Sequence, residues 1–336
     1  MFLQNKRTAA CALESPAYTA ATLSSVDFNV RVSEDISYSP EIDEKRRRVM
    51  QGDFDYDTSV MGKQRCTASF TVMLAPGSAT DATVEPAWSK LLQACGMKPI
   101  GWDSGSEVAV ASAADGISWE PHSDYTHNPI TLELEEIKEG ASANRLITRI
   151  AGAMGNVKFS IGTVGEPIMM SFEFSGRLES IADRAYADRL TPNSLSTVVP
   201  PAVLATTVLI NAVAQDLDKF EVDMANDIQE WGEPSQATGI KGFYVAMKDP
   251  VFTVDPTSKL LADEAVYTDW LAGNARAISV TTSGAVPITL SATKAQHITV
   301  GNGERNGATT SEKTLLLTRG TTANKTFQLL QGLTTT

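Results

Sequence analysis

The sequence predicts a mainly β protein with two short helices. Most of its regular segments alternate apolar and polar residues with a period of two, most clearly at residues 67–74, 130–135 and 168–175. This alternation is typical of antiparallel strands that bury one face and expose the other. Shorter stretches with the same alternation occur at residues 28–32, 157–161 and 220–224.

The first predicted helix begins at Pro86 and ends before Gly96. Proline favours the first helical position, and glycine commonly closes a helix in the left-handed conformation. The apolar residues between them recur at helical spacing and form one stripe, which consists of Trp88, Leu91, Leu92 and Cys95. The pattern therefore predicts a short helix with a single apolar face.

The second predicted helix is longer and begins at Asp255-Pro256. This dipeptide can supply a capping side chain and a first helical residue. Gly273 can end the helix in the left-handed conformation. Leu260, Tyr267 and Leu271 share one face of this segment, although less regularly than in the first helix.

Three landmarks recur in the same order in the two halves of the chain, which predicts an internal duplication. They are a strand, a Ser-Lys-Leu-Leu helix segment and a Pro-Ile-Thr-Leu strand start, found at residues 70–74, 89–92 and 129–132 and again at residues 243–247, 258–261 and 287–290.

The sequence predicts four segments, and the duplication sets the boundary between the two domains. Residues 1–21 form an N-terminal arm, residues 22–190 a first domain, and residues 191–205 a linker. Residues 206–336 form a second domain of the same kind or an added decoration domain. The linker contains several Pro, Ser and Thr residues, a composition typical of connections between domains.

The charge of the chain argues against a protein that grips nucleic acid. Its 336 residues carry 28 Lys and Arg against 40 Asp and Glu, a formal net charge of −12. Proteins that hold DNA present a basic face, because the neutralisation of phosphates supplies most of the affinity. An acidic wall would instead repel DNA and let it slide past.

The cysteines and the apolar runs indicate the compartment. Cys11, Cys66 and Cys95 are widely spaced and form no CxxC motif, so the chain suits a reducing cytoplasm and neither a disulfide framework nor a zinc site is expected. The most apolar run, residues 198–214, is interrupted by prolines and polar residues. No membrane span is therefore expected.

No residue pattern predicts an active site, a cofactor or a metal centre. His122 and His127 share a loop, but two such ligands are too few for a zinc site. Residues 53–57 alternate acidic and aromatic side chains like the start of a calcium loop. Thr58 and Gln64, however, stand where that motif needs Gly and Glu. An enzyme is therefore not expected.

The one dense basic cluster is Lys45-Arg46-Arg47-Arg48, which follows several acidic residues. A solvated loop is the first interpretation, since exposed charge runs need no partner. Docking on an acidic surface of a neighbouring copy is the second. A nucleic-acid patch is the least favoured, because the run contains no aromatic side chain on which a base could stack.

Two segments resemble the major tail proteins of long-tailed bacteriophages. Residues 86–96 resemble the pattern P-x-x-x-x-L-L-x-A-C-G of a short helix in that family. Gly152-Ala153-Met154-Gly155-Asn156 and the later Phe172-Glu173-Phe174-Ser175-Gly176 resemble its G-A-x-G-N and F-x-F-x-G segments. The resemblance covers residues 14–185 well and the second half only around residues 245–256.

The resemblance implies a β-sandwich or barrel-like tube domain with a short helix on its flank. In that family, copies join edge to edge into rings, and the rings stack into a virion tail tube that is assembled in the host cytoplasm. The lumen holds the tape measure protein and conducts genomic DNA during ejection. The motif residues Pro86, Trp88, Leu91, Leu92, Gly96, Gly152, Gly155 and Asn156 would be structural.

The ring size depends on how the second half is used. Two tube domains in one chain favour a ring of three chains with pseudo-sixfold symmetry, and a ring of six chains is the alternative. Long loops and arms join successive rings in this family, so residues 45–48 become a candidate contact between rings. Another ring-forming tail protein, at the tip or the terminator, and a β-sandwich adhesin module remain the competing functions.

Overall fold

The computed structural model describes most of the chain, namely residues 2–24, 32–33, 36–47, 57–121, 128–138, 144–185, 198–202, 204, 206–320 and 326–333. Strands make up 59% of the described residues and helices 6%, which confirms the predicted mainly β fold. Within the described residues the strand pairing does not close into a barrel, because β1 (Phe2–Leu13) and β2 (Ser37–Arg47) each pair along one edge only.

The remaining strands of the first half are β3 (Asp57–Met73), β4 (Met97–Asp103), β5 (Ser106–Val108), β6 (Gly116–Pro121), β7 (Ile130–Lys138), β8 (Arg145–Ile161) and β9 (Met169–Arg184). Those of the second half are β10 (Thr207–Ile210), β11 (Val213–Ala214), β12 (Phe220–Asp223), β13 (Asn226–Gly232), β14 (Ile240–Lys248), β15 (Val251–Val254), β16 (Ala275–Thr281), β17 (Ile288–Arg305), β18 (Ala308–Leu317) and β19 (Gln328–Gln331). The helices are α1 (Ser89–Ala94) and α2 (Val266–Ala272), with a 3₁₀ turn at Val110–Ser112.

The two halves share one strand order. The first half pairs antiparallel as β2-β3-β9-β8-β7-β1, with α1 between β3 and β7 along the chain. The second half pairs as β12-β15-β18-β17-β16-β10, with α2 between β15 and β16. Strands β13 and β14 extend β12 and β15 into one long hairpin, which therefore corresponds to the β2–β3 hairpin.

This shared order agrees with the predicted duplication but corrects its residue matching. Residues 129–132 lead into β7, whereas residues 287–290 lead into β17, which corresponds to β8. Residues 70–74 end β3, but the matching end of the second hairpin is β15 rather than residues 243–247. A proline before a strand suits many strands, so this landmark could not distinguish one strand from the next.

Both predicted helices begin later than expected, so the Ser-Lys-Leu-Leu segment at residues 258–261, including Leu260, lies before α2, whereas residues 89–92 lie in α1. Pro86 lies in a turn before α1, where its carbonyl accepts a hydrogen bond from the Ser89 amide at 3.0 Å. Asp255 does not cap α2, because the chain stays extended after β15 and the Pro256 carbonyl accepts the Ser311 amide of β18. The predicted ends are confirmed, since Gly96 and Gly273 have φ of 73° and 65°.

Two strands of the second half join it to the first. Strand β12 lies between β8 and β15, and it pairs with both along residues 220–223. Strand β19 lies between β17 and β6. Residues 2–13 of the expected arm form β1 in the first half. The expected linker lies mostly outside the described residues, and the division into two domains stays a prediction.

One hydrophobic core runs through both halves. It contains Phe70, Phe172 and Phe174 of the first half together with Phe252 and Leu290 of the second. Phe159 of β8 packs against Phe327, which precedes β19, with ring centroids 5.6 Å apart. The two halves therefore share their buried surface instead of folding around separate cores.

We predict that Phe327→Ala lowers the free energy of unfolding by about 3–5 kcal/mol, because it removes a buried ring from this shared core. Phe327→Leu is the milder control, because it keeps a large apolar side chain and leaves a smaller cavity. Calorimetry should show one transition that moves as a whole. Two separate transitions, of which only one moved, would contradict a shared core.

Candidate functional site

The motif residues of the first segment, Pro86 to Gly96, form α1 and its ends. Leu91 and Leu92 are fully buried. The Trp88 ring packs on Trp119 of β6 at 4.7 Å, and its indole N–H donates to the Ala75 carbonyl at 2.7 Å. The predicted apolar stripe is therefore part of the core. Strands β4–β6, which are inserted between α1 and β7 along the chain, hold α1 against the main sheet.

The other motif residues, Gly152, Gly155 and Asn156, lie on β8 close to the end of α1. Here the β13–β14 hairpin of the second half packs on the first half, and we call this contact the junction. Asn226, at the start of β13, joins them. Its side-chain amide donates to the carbonyls of Cys95 and Gly155, both at 2.9 Å. Its backbone amide donates to the Asn156 side chain at 3.1 Å. Asn156 in turn donates to Asp223 at 2.8 Å.

A crossing of two glycines brings the backbones together at the same junction. Gly152 has φ of 59° and lies in a bulge of β8. A Cβ atom at Gly152 would come within 2.8 Å of the Gly242 Cα, and one at Gly242 within 2.3 Å of the Tyr18 ring. A side chain at Gly152 would therefore separate the hairpin from β8 and strain the backbone, whereas one at Gly242 would displace the Tyr18 ring.

An apolar patch lies between the hairpin and the first half. Met154 of β8 packs in one buried cluster with Ile240, Phe243 and Val245 of β14. Polar contacts surround it: Arg177 donates to the carbonyls of Tyr18, at 3.0 Å, and Lys241. The junction has the apolar centre and polar rim that characterise protein–protein interfaces.

Lys248 closes the junction at the end of α1. Its ammonium donates to the Gly96 carbonyl at 2.5 Å. Burial lowers the pKa of Lys248 to about 8, because a low-dielectric environment disfavours the charged form. Burial also raises the pKa of the neighbouring Cys95 thiol, which makes that thiol unreactive.

We predict that Lys248 makes the protein more stable as the pH rises from about 8 towards 10.5. In that window the unfolded chain keeps a proton on Lys248 that the folded chain has released, so the free energy of unfolding increases with pH. The contribution is at most about 1.4 kcal/mol per pH unit. Denaturant unfolding at several pH values should show a smaller rise for Lys248→Met. Lys219→Met, at an exposed lysine, should retain it; an equal rise in both variants would refute the assignment.

The predicted basic cluster lies on a different feature, the outer part of the β2–β3 hairpin. Residues 42–47 and 57–62, which we call the ribbon, extend beyond the pairing of β3 with β9. Lys45, Arg46 and Arg47 are exposed on it. Arg48 lies outside the described residues, as do the predicted loop histidines 122 and 127 and residues 53–56.

The inner end of the ribbon rests on the turn of the β13–β14 hairpin. The Gln64 amide donates to the Thr238 carbonyl at 3.0 Å, and the Lys63 ammonium pairs with Glu230 at 2.5 Å. Arg65 pairs with Glu41 at 2.8 Å. These contacts fix the direction in which the ribbon leaves the sheet.

The buried charges of the second half form a separate ion pair. Lys313 is buried, and its ammonium contacts Glu264 at 2.7 Å and Gln215 at 3.2 Å. Burial lowers the pKa of Lys313, and burial together with Lys313 lowers the pKa of His297. Because Lys313 already has a carboxylate partner, we interpret the Lys313–Glu264 pair as structural and not as a nucleophile with its base.

The sequence did not identify the residues through which the β13–β14 hairpin docks on the first half. Asp223, Asn226 and Lys248 are ordinary polar residues in strand patterns, and only their distant partners make them important. Gly242 alone carried a usable signal, because an isolated glycine within a strand pattern often marks a close approach of another backbone.

Comparison with known proteins adds no relative: no protein-family model matches the chain, and no curated protein matches its sequence. In the described part of the chain, no helix is long and apolar enough to cross a membrane. The described residues also contain no group of three or more His, Cys, Asp or Glu arranged to hold a metal ion.

Proposed function

We propose that this chain is the structural subunit of a tail tube of a long-tailed bacteriophage. Copies would assemble into stacked rings whose lumen conducts genomic DNA and holds the tape measure protein. The observation that carries the proposal is the strand pairing of β12: it joins two units with one strand order edge to edge.

Repetition of such a contact between chains would produce a ring if the rotation between units closes. A contact between different surfaces of identical units is heterologous, and it generates either a closed ring or an open filament. With two units in each chain, three chains would carry six units around the ring, and six chains are the alternative. Edge strands that would invite aggregation in a monomer would then be satisfied by a neighbour.

The charge of the chain suits a conduit. With a net charge of −12, the subunit would not hold the phosphate backbone of DNA in passage. The motif residues that resemble tail proteins lie in the core and at the junction, which agrees with a structural role. A tip or terminator protein would share these features, but it would stop at one ring.

Electron microscopy of the purified chain tests the proposal directly. At raised protein and salt concentration we expect open-ended hollow tubes, and their averaged cross-section would distinguish three chains from six. Closed rings that never stack would contradict a tube subunit and favour a tip or terminator protein. A monomer under all conditions would favour the adhesin alternative.

We predict that reversing the basic cluster, with Lys45→Glu, Arg46→Glu, Arg47→Glu and Arg48→Glu, reduces tube yield and length by tenfold or more. The physical reason is the loss of attraction between the ribbon and the acidic surface of a neighbouring copy. Pelleting assays and electron microscopy measure the effect. The matched control changes the four residues to the other basic type, Lys to Arg and Arg to Lys. Normal tubes from the reversed variant would refute a role for the cluster in assembly.

A further inference from the structure

The surface of the first half that the β13–β14 hairpin covers has an uncovered counterpart in the second half. In the first half, the β13–β14 hairpin covers the end of α1 and the bulge of β8. In the second half, α2 corresponds to α1 and β17 to β8. β17 has its own bulge between His297 and Thr299 in its pairing with β18, as β8 has in its pairing with β9.

The surface around that second bulge is apolar and exposed. Ile298 lies in the bulge, and its carbonyl accepts a hydrogen bond from the Trp270 indole at 3.1 Å. Ile298 is 47% and Leu271 83% exposed. We call Tyr267, Trp270, Leu271 and Ile298 the α2 surface. Exposed apolar patches of this kind mark interaction sites.

The inserted strands explain why α2 is open and α1 is not. Trp119 of β6 packs on Trp88, and its indole donates to the Ser89 hydroxyl of α1 at 2.7 Å. The second half has no counterpart of β4–β6, because only Gly273 and Asn274 separate α2 from β16. An occupant of the α2 surface must therefore come from outside the described part of this chain.

The ribbon has the same place in the first half as the docked hairpin has in the second. Beyond its inner end it exposes Ile42, Val60 and Met61, which are 49%, 52% and 60% exposed. A two-stranded ribbon is marginally stable alone in water. Burial of these apolar side chains against another surface would stabilise the ribbon.

The basic charge of the ribbon is complementary to exposed carboxylates that flank the α2 surface. The ribbon carries Lys45, Arg46 and Arg47. Near the α2 surface, exposed carboxylates stand on the loop before α2 and on the β17–β18 hairpin, namely Asp263, Glu304 and Glu312. The Tyr267 hydroxyl, 3.4 Å from the Asn302 side chain, ties α2 to that end of β17.

We infer that the ribbon of one chain docks on the α2 surface of a second copy, as the β13–β14 hairpin docks on the first half within the chain. Because the two surfaces differ, the contact is head-to-tail and propagates around a ring or along a filament. The inference rests on the self-assembly in the proposed function and names the surface that receives the basic ribbon.

Disulfide trapping between two variants tests this contact. A Met61→Cys chain is mixed with a Leu271→Cys chain before assembly, then oxidised and run on a non-reducing gel. The native cysteines are all buried, so they should not contribute. We expect a cross-linked dimer that needs both variants. Met61→Cys mixed with Val164→Cys, at an exposed valine in the β8–β9 turn, should give at least tenfold less.

Electron microscopy of the same mixture separates this inference from the proposed function. Tubes without the Met61–Leu271 cross-link would overturn the α2 contact and leave the tube function standing. The cross-link in closed rings or short oligomers would support the contact and count against a tube subunit. Monomers without the cross-link would overturn both. Leu271→Glu, at a side chain too exposed to be needed for folding, should also reduce assembly by tenfold or more.

Discussion

The backbone hydrogen bonds of β12 hold the two halves in one structure. This short strand pairs with β8 along one edge and with β15 along the other, so it converts two sheet edges into one continuous sheet. Without it, the buried amides and carbonyls of both edges would lack partners, at a cost of about 1–3 kcal/mol for each group. The side chains of β12 strengthen the connection, since Phe220 packs on Phe252 and Asp223 pairs with Lys158.

The docked hairpin depends on that continuous sheet. Strand β12 leads through Ala225 into β13, so the position of β12 places Asn226 at the end of α1. The glycine crossing, the apolar patch around Met154 and the Lys248 contact then close the junction. Many weak contacts act together here, as in interfaces between separate proteins. A contact of this kind inside one chain is a physical precedent for contacts between copies.

The two halves bury charged side chains in different arrangements. In the first half, Glu133 and Glu135 are buried on β7 and are paired with Arg145 and Arg184. In the second half, Lys313 is paired with Glu264. Removing one partner of such a pair leaves an uncompensated charge and costs about 3–5 kcal/mol. The two networks are not equivalent in residue type or position, although the two halves share one strand order.

The sequence by itself determined the mainly β class, the existence and the ends of both helices, and the burial of the α1 stripe. These features are local: alternation, helical spacing and closing glycines act within a few residues. The helix starts and the residue matching of all three repeat landmarks were wrong. Tertiary pairing kept residues 255–258 extended, so the Ser-Lys-Leu-Leu segment at residues 258–261 precedes α2, and any strand can begin with Pro-Ile-Thr-Leu.

Only the tertiary structure decided where the motif residues act. Gly152, Gly155 and Asn156 were recognisable as a motif, yet their partners Asn226 and Gly242 lie far along the chain, and no local pattern encodes such a distant contact. The same holds for the exposed ribbon and the α2 surface. The sequence showed their apolar and charged residues, but whether these residues are covered depends on which strands of the other half reach them.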